Sequence, residues 1–125
     1  MSFEMGRFQR ADRLLHTRDF RAALKSGKRR TSSSFVVVVT PRTELAAGGP
    51  DATRTRLGIT VSKRVGGAVV RNHLKRRIRE WFRHAREGLP SQSDIVVIAR
   101  RAARDLSSHE VEAALDRITH GARAR

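Results

Sequence analysis

Arginine and lysine are the residues of this 125-residue chain whose number and spacing could do chemistry, and that chemistry is the binding of phosphate. Residues 63–86, KRVGGAVVRNHLKRRIREWFRHAR, hold nine of the 27 Lys and Arg residues but one acid, Glu80. They read as one amphipathic helix, into which Gly66 and Gly67 turn the chain. At about 100° per residue, Val70, Leu74, Ile78, Trp81, Phe82, Ala85 and Leu89 fall on an arc of about 120°, the width of a face packed on a core. Arg71, Asn72, Lys75, Arg76, Arg79, Arg83 and Arg86 fill a neighbouring arc of about 140° that contains no acid. Glu80, Glu87, His73, His84 and Arg77 lie beyond its edge. A face that is only solvated usually mixes signs at i,i+4. Arg71, Lys75 and Arg79 instead set like charges at that spacing, each pair costing about 0.2–0.5 kcal/mol. An external polyanion offsets this repulsion and is the expected partner.

Hydrolysis by the chain itself would need carboxylates converging on magnesium or a His acid–base pair, and the acids here are scattered. Glu112, Asp116 and His120 share one face of the last expected helix, and Glu80 with His84 forms another i,i+4 pair. Neither set supplies the three or more converging oxygens that hard cations prefer. No catalytic residue and no metal ligand is therefore assigned. The absence of cysteine removes disulfides, thiolate zinc sites and cysteine nucleophiles, and fits a reducing compartment. A net charge of +15 and a pI near 11.9 narrow the partners to nucleic acid or an anionic membrane. No stretch approaches the roughly 18 apolar residues of a spanning helix, and MSFEMGRFQRADR lacks the apolar core of a secretion signal. A cytoplasmic protein without a membrane partner is expected.

The elements that must position the basic face are legible in order, and the length suits a single domain, residues 1–125, with one modest core. Residues 1–12 read as a flexible basic arm. Thr17 can cap a short helix that presents Phe20, Ala23 and Leu24, with Gly27 as its stop. Lys28, Arg29 and Arg30 follow, with room for one extra short strand at residues 29–32. Residues 32–40 carry FVVVV, a run suited to a strand buried on both faces, before Pro41. Residues 41–53, with two prolines and paired glycines, read as a surface loop. In residues 54–62, Leu57, Ile59 and Val61 alternate with Arg56, Gly58, Thr60 and Ser62, a strand with one core face and one open face. After the basic helix, DIVVIAR at residues 94–100 reads as a central strand. Ser107 with Glu110 forms a capping box, and Val111, Ala114, Leu115 and Ile118 stripe a final helix before a frayed tail at residues 121–125. The order α-β-β-α-β-α makes an α/β (α+β) two-layer sandwich, whose strand–helix–strand unit would by general rule cross over right-handed if its strands are parallel.

Ser62-Lys63-Arg64-Val65-Gly66-Gly67-Ala68, followed by Val70-Arg71-Asn72-His73-Leu74-Lys75-Arg76-Arg77-Ile78-Arg79, resembles the RNR signature of the protein subunit of bacterial ribonuclease P. His73 stands where that signature has its third arginine. The resemblance implies a left-handed crossover at the strand–helix–strand unit. It implies an endoribonuclease whose RNA subunit carries the catalytic Mg2+ and cleaves precursor transfer RNA. One protein per RNA would bind that RNA and the 5′ leader of the substrate, with Mg2+ held mainly by the RNA subunit and substrate. By the same resemblance, Arg71, Asn72, Lys75, Arg76 and Arg79 face the catalytic RNA beside Lys63 and Arg64. The rest of the basic arc, Arg83 and Arg86, extends that surface, and Phe20, Leu24, Val36 and Val38 line the leader cleft. The competing readings are a ribosomal-type RNA-binding protein and a non-specific nucleic-acid-binding protein.

Overall fold

Runs of β-branched residues build the sheet. Val36–Val39 and Ile95–Ile98 pair antiparallel in register, Val37 opposite Val97 and Val38 opposite Val96, so branched side chains meet across the strands on both faces. The computed structural model describes residues 17–41, 55–89 and 93–123, without the side chains of residues 17–20, 26 and 120–123. Its elements are α1 (Thr17–Ser26), β1 (Lys28–Thr31), β2 (Phe35–Pro41), β3 (Arg56–Thr60), α2 (Ala68–Ala85), β4 (Ser93–Ala99) and α3 (Ser108–Arg123). Short 3-10 turns at Arg86–Gly88 and Arg101–Asp105 follow α2 and β4. The sheet order is β1-β2-β4-β3, with β3 and β4 parallel and the other pairs antiparallel. β4 is thus central, as its apolar run requires, and β3-α2-β4 is the crossover unit.

One face of the sheet carries Phe35, Val37, Ile95, Val97 and Leu57, and buries them against Leu74, Ile78, Trp81 and Phe82 of α2 and Val111, Leu115 and Ile118 of α3. The other face sets Val38 and Val96 under Ala23 of α1, with Leu24, Val36 and Ile98 partly buried around them. The mixed α/β sandwich expected from the pattern is found, but α1 lies on the face opposite α2 and α3 rather than in a second layer shared with them. Two contacts seat it there. The Thr40 hydroxyl donates to the Ala23 carbonyl at 2.7 Å, and Gly27 lets the chain turn tightly against β2. A Cβ at Gly27 would collide with Thr40 Oγ1 and lie 2.5 Å from Val38 Cγ1, so only glycine permits this approach.

Several boundaries move. Helix α2 starts at Ala68, not at residue 63, because Ser62–Val65 close a turn through a Val65 N–H to Ser62 carbonyl bond of 3.0 Å. Leu89, placed on the helix face by the wheel, is buried from beyond the helix end, after the first 3-10 turn. The extra strand is β1, an exposed edge strand. The capping box is present, Glu110 N–H donating to Ser107 Oγ at 3.2 Å and Ser107 N–H to Glu110 Oε1 at 2.8 Å. Helix α3 continues to Arg123, three residues into the stretch read as a frayed tail. The expected arm at residues 1–12 and all of the expected loop except Pro41 lie outside the described residues.

Candidate nucleic-acid interface

Val61 and Val65 are buried on either side of the Ser62–Val65 turn, and this pins its ends to the core while Lys63 and Arg64 stand exposed at its tip. Gly66 follows because a side chain there would press on Val70, whose Cγ1 would lie 2.9 Å from an added Cβ. Arg71 reaches back to this bend, its Nε–H donating to the Gly66 carbonyl at 3.2 Å, which ties the first turn of α2 to the Lys63–Arg64 loop. No side chain caps the helix and no acid lies in its first turn. The positive end of the helix dipole therefore adds to the charge of Lys63, Arg64 and Arg71.

The two flanks of α2 differ. One meets α3: Arg77 donates to the Leu106 carbonyl at 2.7 Å, Trp81 Nε1–H to Asp116 Oδ1 at 2.9 Å, and His84 Nδ1 lies 3.9 Å from Glu112 Oε2. A groove of about 430 Å³ between the helices is lined by His73, Arg76, Arg77, Glu80, Ser108 and Glu112. None of those contacts is made by Arg71, Asn72, Lys75, Arg79, Arg83 or Arg86, whose arc is centred on the other side of the helix. Arg76 stands at the boundary, in the arc and at the groove. Arg77, which the wheel left outside the arc, is committed to holding the turn before α3.

Arg83 and Arg86, at the end of the arc, are each held by a neighbour on or next to α2. Arg83 donates to Glu80 Oε1 at 2.8 Å, and this hydrogen bond holds the Glu80 carboxyl below its ordinary value of 4.5 against the opposing effect of burial. Arg86 lies over the Phe82 ring, 5.4 Å from its centroid, so its guanidinium is fixed near the end of the face by a cation–π contact. Of the i,i+4 candidates weighed from the sequence, Glu80 bonds Arg83 rather than His84, though His84 still adds to the lowering of its carboxyl. Asp116, one of the candidate acids of α3, serves Trp81, and no group of three ligating side chains forms among the described residues.

Of the expected cleft residues, Leu24 and Val36 sit partly exposed at the rim between α1 and the sheet. Val38 is 0% exposed, packed under Ala23, so it supports the cleft from beneath as a buried floor and is not a surface that a leader could touch. Phe20 belongs to α1, and its side chain is outside those described. The sequence reading missed Arg56 and Asp94, cross-strand partners on this same sheet face joined by two 2.8 Å hydrogen bonds. Thirty-eight residues separate them, and nothing short of the parallel register of β3 with β4 brings them together.

The family model for ribonuclease P matches residues 8–123, across both the basic helix and the cleft. The chain belongs to the ribonuclease P protein family. It is 41% identical over 110 residues to the ribonuclease P protein component of Shouchella clausii, covering 88% of this chain and 84% of that one. It is similar in structure to the RNase P protein of Staphylococcus aureus, with a TM-score of 0.76, 32% identity, and coverage of 89% of this chain and 94% of that one. The RNase P protein of Thermotoga maritima gives a TM-score of 0.71 at 32% identity, over 86% and 96% of the two chains. Membership in the ribonuclease P family favours that reading over a ribosomal-type or a non-specific nucleic-acid-binding protein. No helix among the described residues is long and apolar enough to cross a membrane.

Proposed function

We propose that this chain, a ribonuclease P protein component, docks the catalytic RNA on the basic flank of α2 and guides the 5′ leader of precursor transfer RNA along the rim between α1 and the sheet. Ribonuclease P is an endoribonuclease whose catalysis lies in its RNA subunit, so the work left to the protein is binding and orientation. The observation that supports the docking face most directly is the division of α2. Its acid-facing flank is used up against α3, while Lys63, Arg64, Arg71, Asn72, Lys75 and Arg79 form an exposed or half-exposed surface continuous with an uncapped helix end. Such a surface suits phosphates, which accept from guanidinium and backbone N–H alike. Magnesium is assigned to the RNA subunit and the substrate, with one protein per RNA, and the location is cytoplasmic.

The leader path rests on Leu24 and Val36 over the floor made by Val38 and Val96, and Phe20 is assigned to it as an aromatic platform from the family resemblance. A base stacked on such a ring contributes about 1–3 kcal/mol by alanine substitution. Phe20→Ala is expected to weaken holoenzyme binding to precursor transfer RNA bearing a leader of several nucleotides and to leave mature transfer RNA bound as before. Thermal unfolding measured on the same variant separates this from lost packing. Equal loss for both RNAs in a folded variant would defeat the leader assignment.

A further inference from the structure

The described cations are not confined to α2. Between Phe20 and Thr43 the sequence contains no acid, and its described part carries Arg21, Lys25, Lys28, Arg29 and Arg30, all exposed. Lys28, Arg29 and Arg30 lie on β1, whose pairing with β2 sets them directly opposite Val39, Val38 and Val37. Because successive residues of a strand alternate faces, Lys28 and Arg30 flank the α3 side of the sheet and Arg29 the α1 side. Arg21 and Lys25, one helical turn apart, continue the charge along α1, which ends immediately before β1. No ion pair joins any of the five to an acid among the described residues.

Charged side chains on an edge strand commonly guard it against pairing with another chain. That role explains a cation or two on β1. It does not explain three in succession on both faces, nor two more on the adjoining helix, where there is no free strand edge to guard. The like-charge repulsion of such a cluster points, as on α2, to an external polyanion. The location is different. β1 and β3 are the opposite edges of the sheet, α3 packs on β1 and β2, and α2 packs on β3 and α3. Three strand spacings of about 4.8 Å, with α3 on the intervening face, separate the β1 edge from the α2 side.

We propose that the β1 edge and the adjoining face of α1 form a second RNA-phosphate surface, so that the chain grips two RNA segments on opposite edges of its sheet. The proposal takes RNA as the polyanion from the reading above and is otherwise independent of the α2 face. It is tested by the salt dependence of binding of the full chain to the catalytic RNA alone and to that RNA with precursor transfer RNA. The variants are Lys28→Gln/Arg29→Gln/Arg30→Gln and, on the helix, Arg21→Gln/Lys25→Gln. Both change exposed side chains, and thermal unfolding checks that each is folded. Each phosphate contact contributes roughly 0.7–0.9 to the slope of log K against log salt, so the triple variant should lower its magnitude by about two units and the double by between one and two. The losses should add to those of Lys75→Ala/Arg79→Ala. Loss with the catalytic RNA alone places the second segment in that RNA, and loss only with precursor present places it in the substrate. Unchanged slopes in both settings, or losses that vanish once α2 is altered, overturn the proposal. If the α2 variants leave the slope unchanged while the edge variants lower it, the α2 docking reading fails and the second surface stands.

Discussion

Lys75 and Arg79 lie one helical turn apart on the basic flank of α2, whereas Arg77 between them turns to the Leu106 carbonyl. One substitution at each position therefore separates phosphate contact from fold maintenance. Lys75→Ala and Arg79→Ala should each reduce the magnitude of the salt slope for RNA binding by nearly one, about 0.7–0.9 per phosphate. Arg77→Ala should leave the slope unchanged and lower the unfolding midpoint, since it strips a hydrogen bond from the turn leading into α3. Glu80 is the one acid on α2, and it occupies Arg83 at 2.8 Å. Glu80→Gln should release Arg83 and steepen the slope by up to about 0.9. The sign follows from the depressed Glu80 carboxyl, which stays ionised at neutral pH and is neutralised only as pH falls through a value below 4.5. The difference between the wild-type chain and Glu80→Gln should therefore hold across neutral pH and close only in acid. Titrations of RNA binding at several salt concentrations check both predictions.

At the scale of the element, β4 carries the fold because it pairs with β2 on one side and β3 on the other. Its first turn of charge, Asp94, is 5% exposed and is held by both Arg56 Nε–H and Nη2–H. Asp94→Ala would leave the guanidinium of Arg56, itself about four-fifths buried, without this partner. The expected destabilisation is about 2–4 kcal/mol, below the upper range for a fully buried pair because Arg56 keeps some solvent. Urea unfolding of Asp94→Ala, Arg56→Ala and the double variant measures the coupling. Additive effects would show that the pair contributes nothing beyond its separate side chains. The same sheet face holds the cleft rim, so a loosened β3–β4 edge should also weaken leader binding in the folded fraction.

For the whole molecule, the division of labour in ribonuclease P makes a direct prediction. The purified chain should not cleave precursor transfer RNA at any magnesium concentration, and adding it to the catalytic RNA should lower the magnesium that cleavage requires, because its cations replace part of the counterion charge the folded RNA and substrate need. Cleavage by the chain alone, surviving removal of all RNA, would contradict this. Local pattern in the chain determined a good deal of the molecule. The 3.6-residue period of residues 70–85 set which side of α2 is core and which is basic, the valine and isoleucine runs made β2 and β4 strands buried on both faces, and Ser107 with Glu110 placed the start of α3. These depend on residues within a turn or two of one another, where side-chain direction follows from backbone geometry. The tertiary structure alone decided the rest. It put α1 on the opposite face from α2, joined Arg56 to Asp94, turned Arg77 and Trp81 toward α3, buried Val38 as a floor, and set the β1 cations on the far edge from the basic helix. Each depends on strand order and register, which bring together residues tens of positions apart and leave no periodic trace along the chain.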